Sequence, residues 1–177
     1  WDDRGGFLRG ADAGEAGSDD LRLFRWTGYD CGAGRYARFD HRGHGRSKGT
    51  KVFYSAFDEI AKDIDVVVDR AIAENPESPL FIVGHSMGGY GAALYGHLHP
   101  GKVDGYVLSG AWTRDNKGLG TGAVEADAPD SAYMPNELGD GVCSDPSVGE
   151  AYMADPYVIK EMSFGLFRAL HKGHAWM

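Results

Sequence analysis

The chain has 177 residues, of which 42% are hydrophobic and 12% aromatic, and its formal net charge at pH 7 is −8. This length predicts one domain, or one domain with part of a second, and the apolar content is enough for a packed core. The acidic balance argues against nucleic acid and anionic membrane as main partners, since both repel negative charge. No apolar run reaches about 18 residues, so we expect no transmembrane segment.

The first 20 residues are rich in glycine, aspartate and alanine and show no periodicity, so residues 1–20 predict a mobile N-terminal segment. No charged and then apolar leader opens the chain, and we therefore expect a cytoplasmic protein. The two cysteines, Cys31 and Cys143, are expected to be free thiols, because nothing else in the sequence indicates an oxidising compartment.

Two short strands are predicted next. Residues 21–26 alternate apolar and basic side chains, as an edge strand does, and residues 36–39 form a second candidate that ends at Asp40. The glycine-punctuated loop that follows contains His41 and His44. With no third metal ligand nearby, we expect these histidines to brace the loop by hydrogen bonds and not to form a metal site.

Residues 57–74 predict an amphipathic helix with apolar residues at helical spacing. Ser55 is its expected N-cap, and Asp58 three residues later makes a variant of the capping box. The rest of the helix surface is rich in acidic residues, which we interpret as a solvated face and not as a metal site. These acidic residues are Asp58, Glu59, Asp63, Asp65 and Asp69.

The central stretch of the chain is a short apolar run at 80–83, followed by Gly-His-Ser-Met-Gly at 84–88. A helix-forming segment at 87–99 comes next and is stopped by Pro100. Strand, turn and helix are thus predicted in succession, which is the context of the G-x-S-x-G nucleophile elbow. In that elbow Ser86 sits on a strained turn that lifts its hydroxyl clear of the sheet. The alternative is a glycine-rich turn with an incidental serine.

The residues around Ser86 have separate expected roles in the elbow. Side chains at Gly84 and Gly88 are expected to collide with neighbouring backbone. The Met87 N–H, at the helix start, has no intrahelical partner and is free to point at an oxyanion. His85 is not expected to act as the base, because the turn directs neighbouring side chains differently. The elbow residues around the serine are Gly84, His85, Gly88 and Gly89.

Residues 103–109 predict another strand, ended by Trp112, so strands and helices alternate along this part of the chain. That order needs crossover connections and predicts an α/β fold with a mostly parallel sheet flanked by helices. Ligands bind at the carboxyl ends of such strands, where Ser86, Asp40 and Trp112 are all expected.

The second half differs in character. Residues 113–141 are rich in glycine, aspartate, asparagine and proline, and predict a long loop of the kind that often forms a lid. Residues 145–154 and 156–170 predict two short helices. The second is strongly apolar, and three interpretations stay open for residues 157–170: cover of an acyl pocket, packing on the core, or contact with a membrane surface.

The loop at 38–47, the helix after it and the elbow at 84–89 together resemble the α/β-hydrolase superfamily. In particular they are similar to the monoacylglycerol lipase and lysophospholipase branch, the serine-aminopeptidase-like hydrolases. The resemblance runs from about residue 36 to 112 and continues more loosely through 144–157, where that branch begins its helical cap. The expected organisation is a mobile segment at 1–20, a partial hydrolase core at 21–112 and a cap-like segment at 113–177.

The resemblance implies a function as well as a fold. Ser86 would be the nucleophile, and the Met87 N–H would contribute to the oxyanion hole. The implied substrates are small acyl esters such as monoacylglycerols or lysophospholipids, and no metal or organic cofactor is implied.

Two family features are not found in this sequence. One is the His-Gly loop that supplies the second oxyanion donor, and the other is the catalytic Asp and His that follow the cap. We therefore expect the chain to be incomplete relative to the family. Chain order allows Asp145 and His174 as local triad partners, with His174 as the base. Otherwise His171 and His174 are expected to be surface histidines of a C-terminal tail.

Three functional hypotheses follow. The first is a serine ester hydrolase that forms an acyl-enzyme on Ser86. The second is a non-catalytic hydrolase-like module that binds an acyl ligand or a protein partner. The third keeps the nucleophile but changes the reaction to acyl transfer, thioester cleavage or peptide cleavage from an N-terminus.

Overall fold

A computed structural model of the chain describes residues 22–28, 35–116, 118–136 and 143–177. Residues 1–20, expected to be a mobile segment, and Cys31 lie outside the described residues, whereas Cys143 is a free and exposed thiol. In chain order the elements are β1 (Arg22–Gly28), β2 (Arg35–Asp40), α1 (Glu59–Glu74), β3 (Phe81–His85), α2 (Met87–Leu98), β4 (Gly105–Ser109), α3 (Leu119–Glu125), β5 (Tyr133–Pro135), α4 (Pro146–Ala154), β6 (Glu161–Ser163) and α5 (Phe164–Trp176).

The centre of the fold is the β-α-β unit of β3, α2 and β4. The two strands pair in parallel, with Phe81 opposite Gly105 and His85 opposite Ser109. The intervening α2 packs against both strands, as a crossover helix must when it connects parallel neighbours. The expected α/β class, with a parallel sheet and flanking helices, is confirmed.

Antiparallel pairs accompany this unit. β1 and β2 form one pair, with Arg22 opposite Asp40 and Gly28 opposite Arg35, and β5 and β6 form another. Among the described strands, β2 is hydrogen-bonded to β1 and not to β3. The parallel pairing within these ranges is therefore that of β3 with β4.

The first helix begins later than predicted, and Ser55 is not its N-cap. The N-cap is Asp58, whose side chain makes no capping hydrogen bond. Instead the Glu59 carboxylate accepts hydrogen bonds from the backbone N–H of Ser55 at 2.7 Å and of Ala56 at 3.4 Å. Glu59 is the first residue of the helix and bonds to N–H groups that precede the N-cap, so the expected capping box is not formed. Residues 55–58 instead form a turn that precedes the helix.

The acidic residues of α1 do not form a uniformly solvated face. Asp63 is only 3% exposed, and its carboxylate accepts hydrogen bonds from Arg42 Nε at 2.9 Å and Nη2 at 2.6 Å. Asp65 accepts a hydrogen bond from Tyr95 Oη at 2.7 Å and forms an ion pair with Lys102. The predicted solvated surface is wrong at Asp63, which is buried. Asp65 remains 28% exposed, and residues distant in sequence supply partners for both carboxylates.

The core lies where α1, α2 and α5 meet. Gly91 on α2 allows α1 to approach closely, since a Cβ there would lie 3.0 Å from Ile60 Cδ1 and 3.1 Å from Ile64 Cδ1. The helix α5 completes this core. Most apolar side chains of the stretch 157–170 therefore pack inward and are not available to a lipid surface. The residues that α5 buries there include Leu166, Phe167 and Leu170.

The segment predicted as a long loop contains regular structure, namely α3 and β5, while residues 137–142 lie outside the described part. The helix predicted at 145–154 is present as α4. It begins after Asp145, whose Oδ1 accepts a hydrogen bond from the Ser147 N–H at 2.9 Å. A proline in the first turn and an aspartate N-cap are strong local signals for a helix start.

The helix predicted at 156–170 is displaced in the structure. Residues 161–163 pair with β5, and α5 starts only at Phe164, where Ser163 Oγ accepts a hydrogen bond from the Leu166 N–H at 3.0 Å. The helix continues to Trp176, so the expected C-terminal tail is helical. Within the described ranges, no helix has the length and apolar character needed to cross a membrane.

Nothing in the described part of the chain covers one face of the β3–β4 pair. Residues paired across the strands share a face, and on this one Phe81 is 58% exposed, Val83 73% and Val107 54%. The other face packs against α2, although Leu108 on it is 46% exposed. Parallel sheets are ordinarily covered on both faces.

Candidate active site

Ser86 occupies the turn between β3 and α2 with φ 53° and ψ −117°. These angles are those of the first central residue of a type II′ turn, a position that normally holds glycine. A non-glycine residue adopts positive φ only where the surrounding structure imposes it. The strained strand-to-helix turn expected of the elbow is therefore present at this serine.

The glycines around Ser86 carry unequal steric demands. A Cβ on Gly84 would overlap the carbonyl oxygen of Gly88, and a Cβ on Gly89 would lie 2.5 Å from Ala111 Cβ. A Cβ on Gly88 would meet nothing within 4 Å. The collision expected at Gly88 is wrong, because that position faces open space. The tight contact falls on Gly89, one residue beyond the motif, and only the path of the chain after β4 discloses it.

Backbone hydrogen bonds hold the turn from both sides. The Ser86 N–H donates to the Ser109 carbonyl at 3.0 Å. The Ser86 carbonyl accepts two hydrogen bonds, from the Tyr90 N–H at 3.0 Å and from the Trp112 N–H at 3.1 Å. Tyr90 is predictable from helix spacing, since it lies four residues after Ser86. No local spacing predicts the other two partners, Ser109 at the end of β4 and Trp112 after it, although Trp112 is expected at the same sheet edge.

The side chain of Ser86 makes no capping hydrogen bond to α2. The N–H of Met87, as the first of this 12-residue helix, has no intrahelical acceptor. It lies at the positive end of the helix dipole, which favours negative charge. A serine hydroxyl beside such a donor is an arrangement suited to attack on a carbonyl and to stabilisation of the resulting oxyanion.

His85 faces the bare side of the β3–β4 pair. Its Nδ1 lies 3.2 Å from Ser109 Oγ on the neighbouring strand. The alternation of side chains along β3 therefore directs the imidazole away from α2, while the Ser86 turn begins one residue later. This placement agrees with the expectation that the elbow separates the two side chains.

His174 lies close to the elbow on α5. Its Nε2 is 2.6 Å from the Trp112 carbonyl oxygen, and its ring meets the rings of Trp112 and Tyr90 edge to face. Burial lowers the pKa of His174, and His171 lowers it further, while the Trp112 carbonyl and Asp115 oppose the shift. The ring is therefore neutral at pH 7, and Nε2 carries the proton because a carbonyl only accepts.

The two residues proposed as local triad partners are not brought together. Asp145 caps α4 through Ser147, at both the backbone N–H and the hydroxyl. His174 bonds to the Trp112 carbonyl. Among the described residues, no hydrogen bond or ion pair joins Asp145 to His174. His171 and His174 are both half-buried, and Nδ1 is the buried atom of each ring.

The loop after β2 is braced by its own hydrogen bonds. His44 Nδ1 lies 2.8 Å from the Arg42 carbonyl oxygen, and the Asp40 carboxylate accepts the Arg46 N–H at 2.9 Å. Burial lowers the pKa of His41 to about 3, with further lowering by the charges of His44 and Arg42. The bracing role expected of the loop histidines is confirmed at His44. The part of the chain that the structure describes contains no cluster of three or more metal-binding side chains.

Comparisons with a family model and with known proteins agree on the family of this chain. A family model described as "Hydrolase_4: Serine aminopeptidase, S33" matches residues 30–177. The monoacylglycerol lipase of Mycolicibacterium smegmatis is 36% identical over 137 residues, which cover 74% of this chain and 49% of that protein. The monoglyceride lipase of Homo sapiens is 41% identical over 69 residues, which cover 39% of this chain and 23% of that protein. The chain thus spans about half the length of the bacterial relative.

Solved structures show the same fold. A monoacylglycerol lipase from Paleococcus ferrophilus superposes with a TM-score of 0.65 at 23% identity, covering 79% of this chain and 55% of that one. A soluble variant of monoglyceride lipase from Saccharomyces cerevisiae, solved with a substrate analogue, gives a TM-score of 0.61 at 24% identity. It covers 80% of this chain and 50% of its own. At these identities the likeness concerns the fold alone.

Proposed function

The chain belongs to the family described as "Serine aminopeptidase, S33", and on that basis we propose that it carries the nucleophilic centre of a serine ester hydrolase. The observation that carries the proposal is the Ser86 turn, where a serine holds a conformation normally reserved for glycine. Such strain is retained where a side chain must project in a fixed direction, as a nucleophile must.

The proposed reaction proceeds through an acyl-enzyme. Ser86 Oγ attacks the ester carbonyl carbon, passes its proton to a base and leaves the carbonyl oxygen anionic. The Met87 N–H donates a hydrogen bond to that oxyanion. Collapse expels the alcohol, which takes the proton from the base, and the acyl group stays on Ser86. Water then attacks the acyl-enzyme and releases the acid. These steps use no metal or organic cofactor.

We propose small acyl esters, above all monoacylglycerols, as substrates, with lysophospholipids as a related class. The names of the Mycolicibacterium and human relatives support esters of glycerol. The family description supports a competing reaction, peptide cleavage from an N-terminus. The same nucleophile also serves acyl transfer and thioester cleavage. Competitive turnover of a monoacylglycerol, an acyl thioester and an aminoacyl substrate separates these reactions, and we expect the monoacylglycerol to be preferred.

The test of the nucleophile is labelling by a fluorophosphonate probe, read by intact mass. We expect one adduct, lost in Ser86→Ala and kept in Ser78→Ala, an exposed loop serine that serves as the matched control. Peptide mapping would place the adduct on Ser86. An adduct that survives Ser86→Ala would show that another residue reacts and would overturn the assignment.

A second candidate function is a hydrolase-like module that binds an acyl ligand or a protein partner without turnover. It is favoured by the separate engagements of Asp145 with Ser147 and of His174 with Trp112. A serine without its base loses several orders of magnitude in rate. A folded protein that fails to react with the probe yet binds a monoacylglycerol would support the module and reject the hydrolase.

A further inference from the structure

The last described helix is connected to the nucleophile turn by two hydrogen bonds that meet at Trp112. His174 on α5 donates from Nε2 to the Trp112 carbonyl at 2.6 Å. Trp112 in turn donates its N–H to the Ser86 carbonyl at 3.1 Å. The two bonds involve the two peptide groups that flank Trp112, so a residue held by one bond is also oriented for the other.

Packing fixes the position of the imidazole. Its ring centroid lies 5.2 Å from that of Tyr90 and 4.9 Å from that of Trp112, both edge to face. The preceding residue, Gly173, allows this approach, because a Cβ there would overlap Tyr90 Oη. Tyr90 is fully buried in the first turns of α2. The contact of His174 with the elbow is therefore built into the meeting of two helices.

The protonation state of His174 matters to the contact. Its Nδ1 is buried and has no hydrogen-bond partner among the described residues. The groups that face the ring are Tyr90 from α2, Trp112 and Asp115 from the segment after β4, and His171 from α5 itself. A second proton, placed on Nδ1, would be a buried donor without an acceptor. The neutral ring is thus the form that suits this site.

We propose that His174 is a positioning residue for Ser86, acting through Trp112 to hold the strained turn in place. The proposal rests on the proposed function of Ser86 as nucleophile. The turn needs support because its positive φ is imposed by its surroundings, and Trp112 supplies one of the two donors to the Ser86 carbonyl. In this role His174 does not accept the serine proton, since Nε2 donates to Trp112 and Nδ1, the nitrogen that could accept, is buried without a hydrogen-bond partner among the described residues.

The first experiment compares labelling rates by a fluorophosphonate probe at neutral pH. His174→Leu removes the donor, and His174→Gln keeps an N–H near the position of Nε2. We expect His174→Leu to slow labelling about tenfold, as loss of one oriented hydrogen bond predicts, and His174→Gln to stay within about twofold of the native rate. The control is His97→Leu, an exposed histidine whose Nδ1 bonds within its own helix, and no change is expected there. A native rate in His174→Leu, or an equal loss in His174→Gln, would overturn the proposal.

The second measurement is the pH profile. The ratio of the native rate to that of His174→Gln cancels the titration of any base shared by the two proteins. We expect this ratio to be constant near neutrality and to fall with acidification, as the native imidazole gains its second proton. A ratio independent of pH between about 4 and 8 would contradict the role assigned to the neutral ring.

The third measurement does not depend on Ser86 chemistry. Hydrogen exchange of the Trp112 amide directly reports its hydrogen bond to the Ser86 carbonyl. The reference is the Asp104 amide, which bonds to Leu80 far from this site. We expect relative exchange to increase in His174→Leu and on acidification of the native protein, but not in His174→Gln. Unchanged exchange would overturn the inference about His174 even if Ser86 reacts. Absence of labelling in every variant would instead reject the proposed function. If His174→Leu fails to fold, the change in Trp112 exchange on acidification of the native protein decides whether His174 holds Trp112.

Discussion

Gly88 and Gly89 are adjacent in α2 yet have different surroundings, and the pair gives a matched test. Gly88→Ala is expected to raise the free energy of unfolding by about 0.5 kcal/mol, because alanine favours a helix and its methyl group enters open space. Gly89→Ala is expected to lower it by about 2 kcal/mol, because the methyl group meets Ala111. Urea unfolding followed by circular dichroism measures both changes. Equal effects of the two substitutions would show that the contact with Ala111 does not constrain this position.

His41 links stability to pH. Burial lowers its pKa from 6.5 to about 3 in the folded chain. The unfolded chain therefore takes up a proton first as the pH falls, and this group lowers stability below pH 6.5 by up to about 1.4 kcal/mol per pH unit. Above pH 6.5 both states are neutral and the contribution is constant. We expect His41→Phe to lose less stability than the native protein between about pH 6.5 and 4. Denaturant titrations at each pH test this, with exposed His97→Phe as control, and parallel curves for native and His41→Phe protein would contradict it.

The carboxylate of Asp63 holds the helix α1 to the loop after β2 more strongly than the neighbouring carboxylates of the helix do. Asp63→Asn is expected to lower the free energy of unfolding by about 2 kcal/mol, because the charge-assisted hydrogen bonds from Arg42 are weakened in a buried setting. Asp58→Asn breaks only the ion pair with Lys62 near the helix start, at 2.8 Å, and should cost less than about 0.5 kcal/mol. Thermal unfolding distinguishes the two. A comparable loss in both variants would mean that Asp63 acts as a surface charge.

The elements that the sequence predicts well are those with strong local signals. The proline and glycine punctuation around β3, α2 and β4 places each within about two residues of its observed bounds. The boundary between β6 and α5 is different, because apolar spacing continues across it. The strand is fixed by pairing with β5 and the helix start by Ser163, whose hydroxyl also donates to the carbonyl of Val52, 111 residues away.

The candidate site likewise has one part with a local sequence signal and one part that depends on distant contacts. The position of Ser86 and its turn follow from a motif of five residues. The contact between His174 and Trp112 joins positions 62 residues apart, and no local spacing encodes it. Gly173 carries the one sequence signal that was present, a glycine within an apolar helix, which indicates a close approach of another group.

At the scale of the whole molecule, the described residues leave one apolar face of the β3–β4 pair exposed. Residues Val83 and Val107 form its centre. We expect the protein to bind the dye ANS, which reports exposed apolar surface, and the double variant Val83→Thr, Val107→Thr to bind less of it. Because both residues are exposed, the free energy of unfolding should change by less than about 0.5 kcal/mol. Val124→Thr on α3, 44% exposed, is the control and should leave dye fluorescence unchanged. Dye binding that is the same in the double variant would place the apolar surface elsewhere.

The backbone angles of Ser86 lower the stability of the folded protein, while the serine side chain at that position is the one proposed to react. Glycine adopts φ 53° without strain, so Ser86→Gly is expected to relieve the turn and to gain up to about 1 kcal/mol after the extra chain entropy of glycine is subtracted. The same change removes the only atom proposed to attack the substrate. A laboratory selection that rewards thermal survival alone would then enrich inert descendants of this protein, and only a selection that also demands turnover would keep the serine.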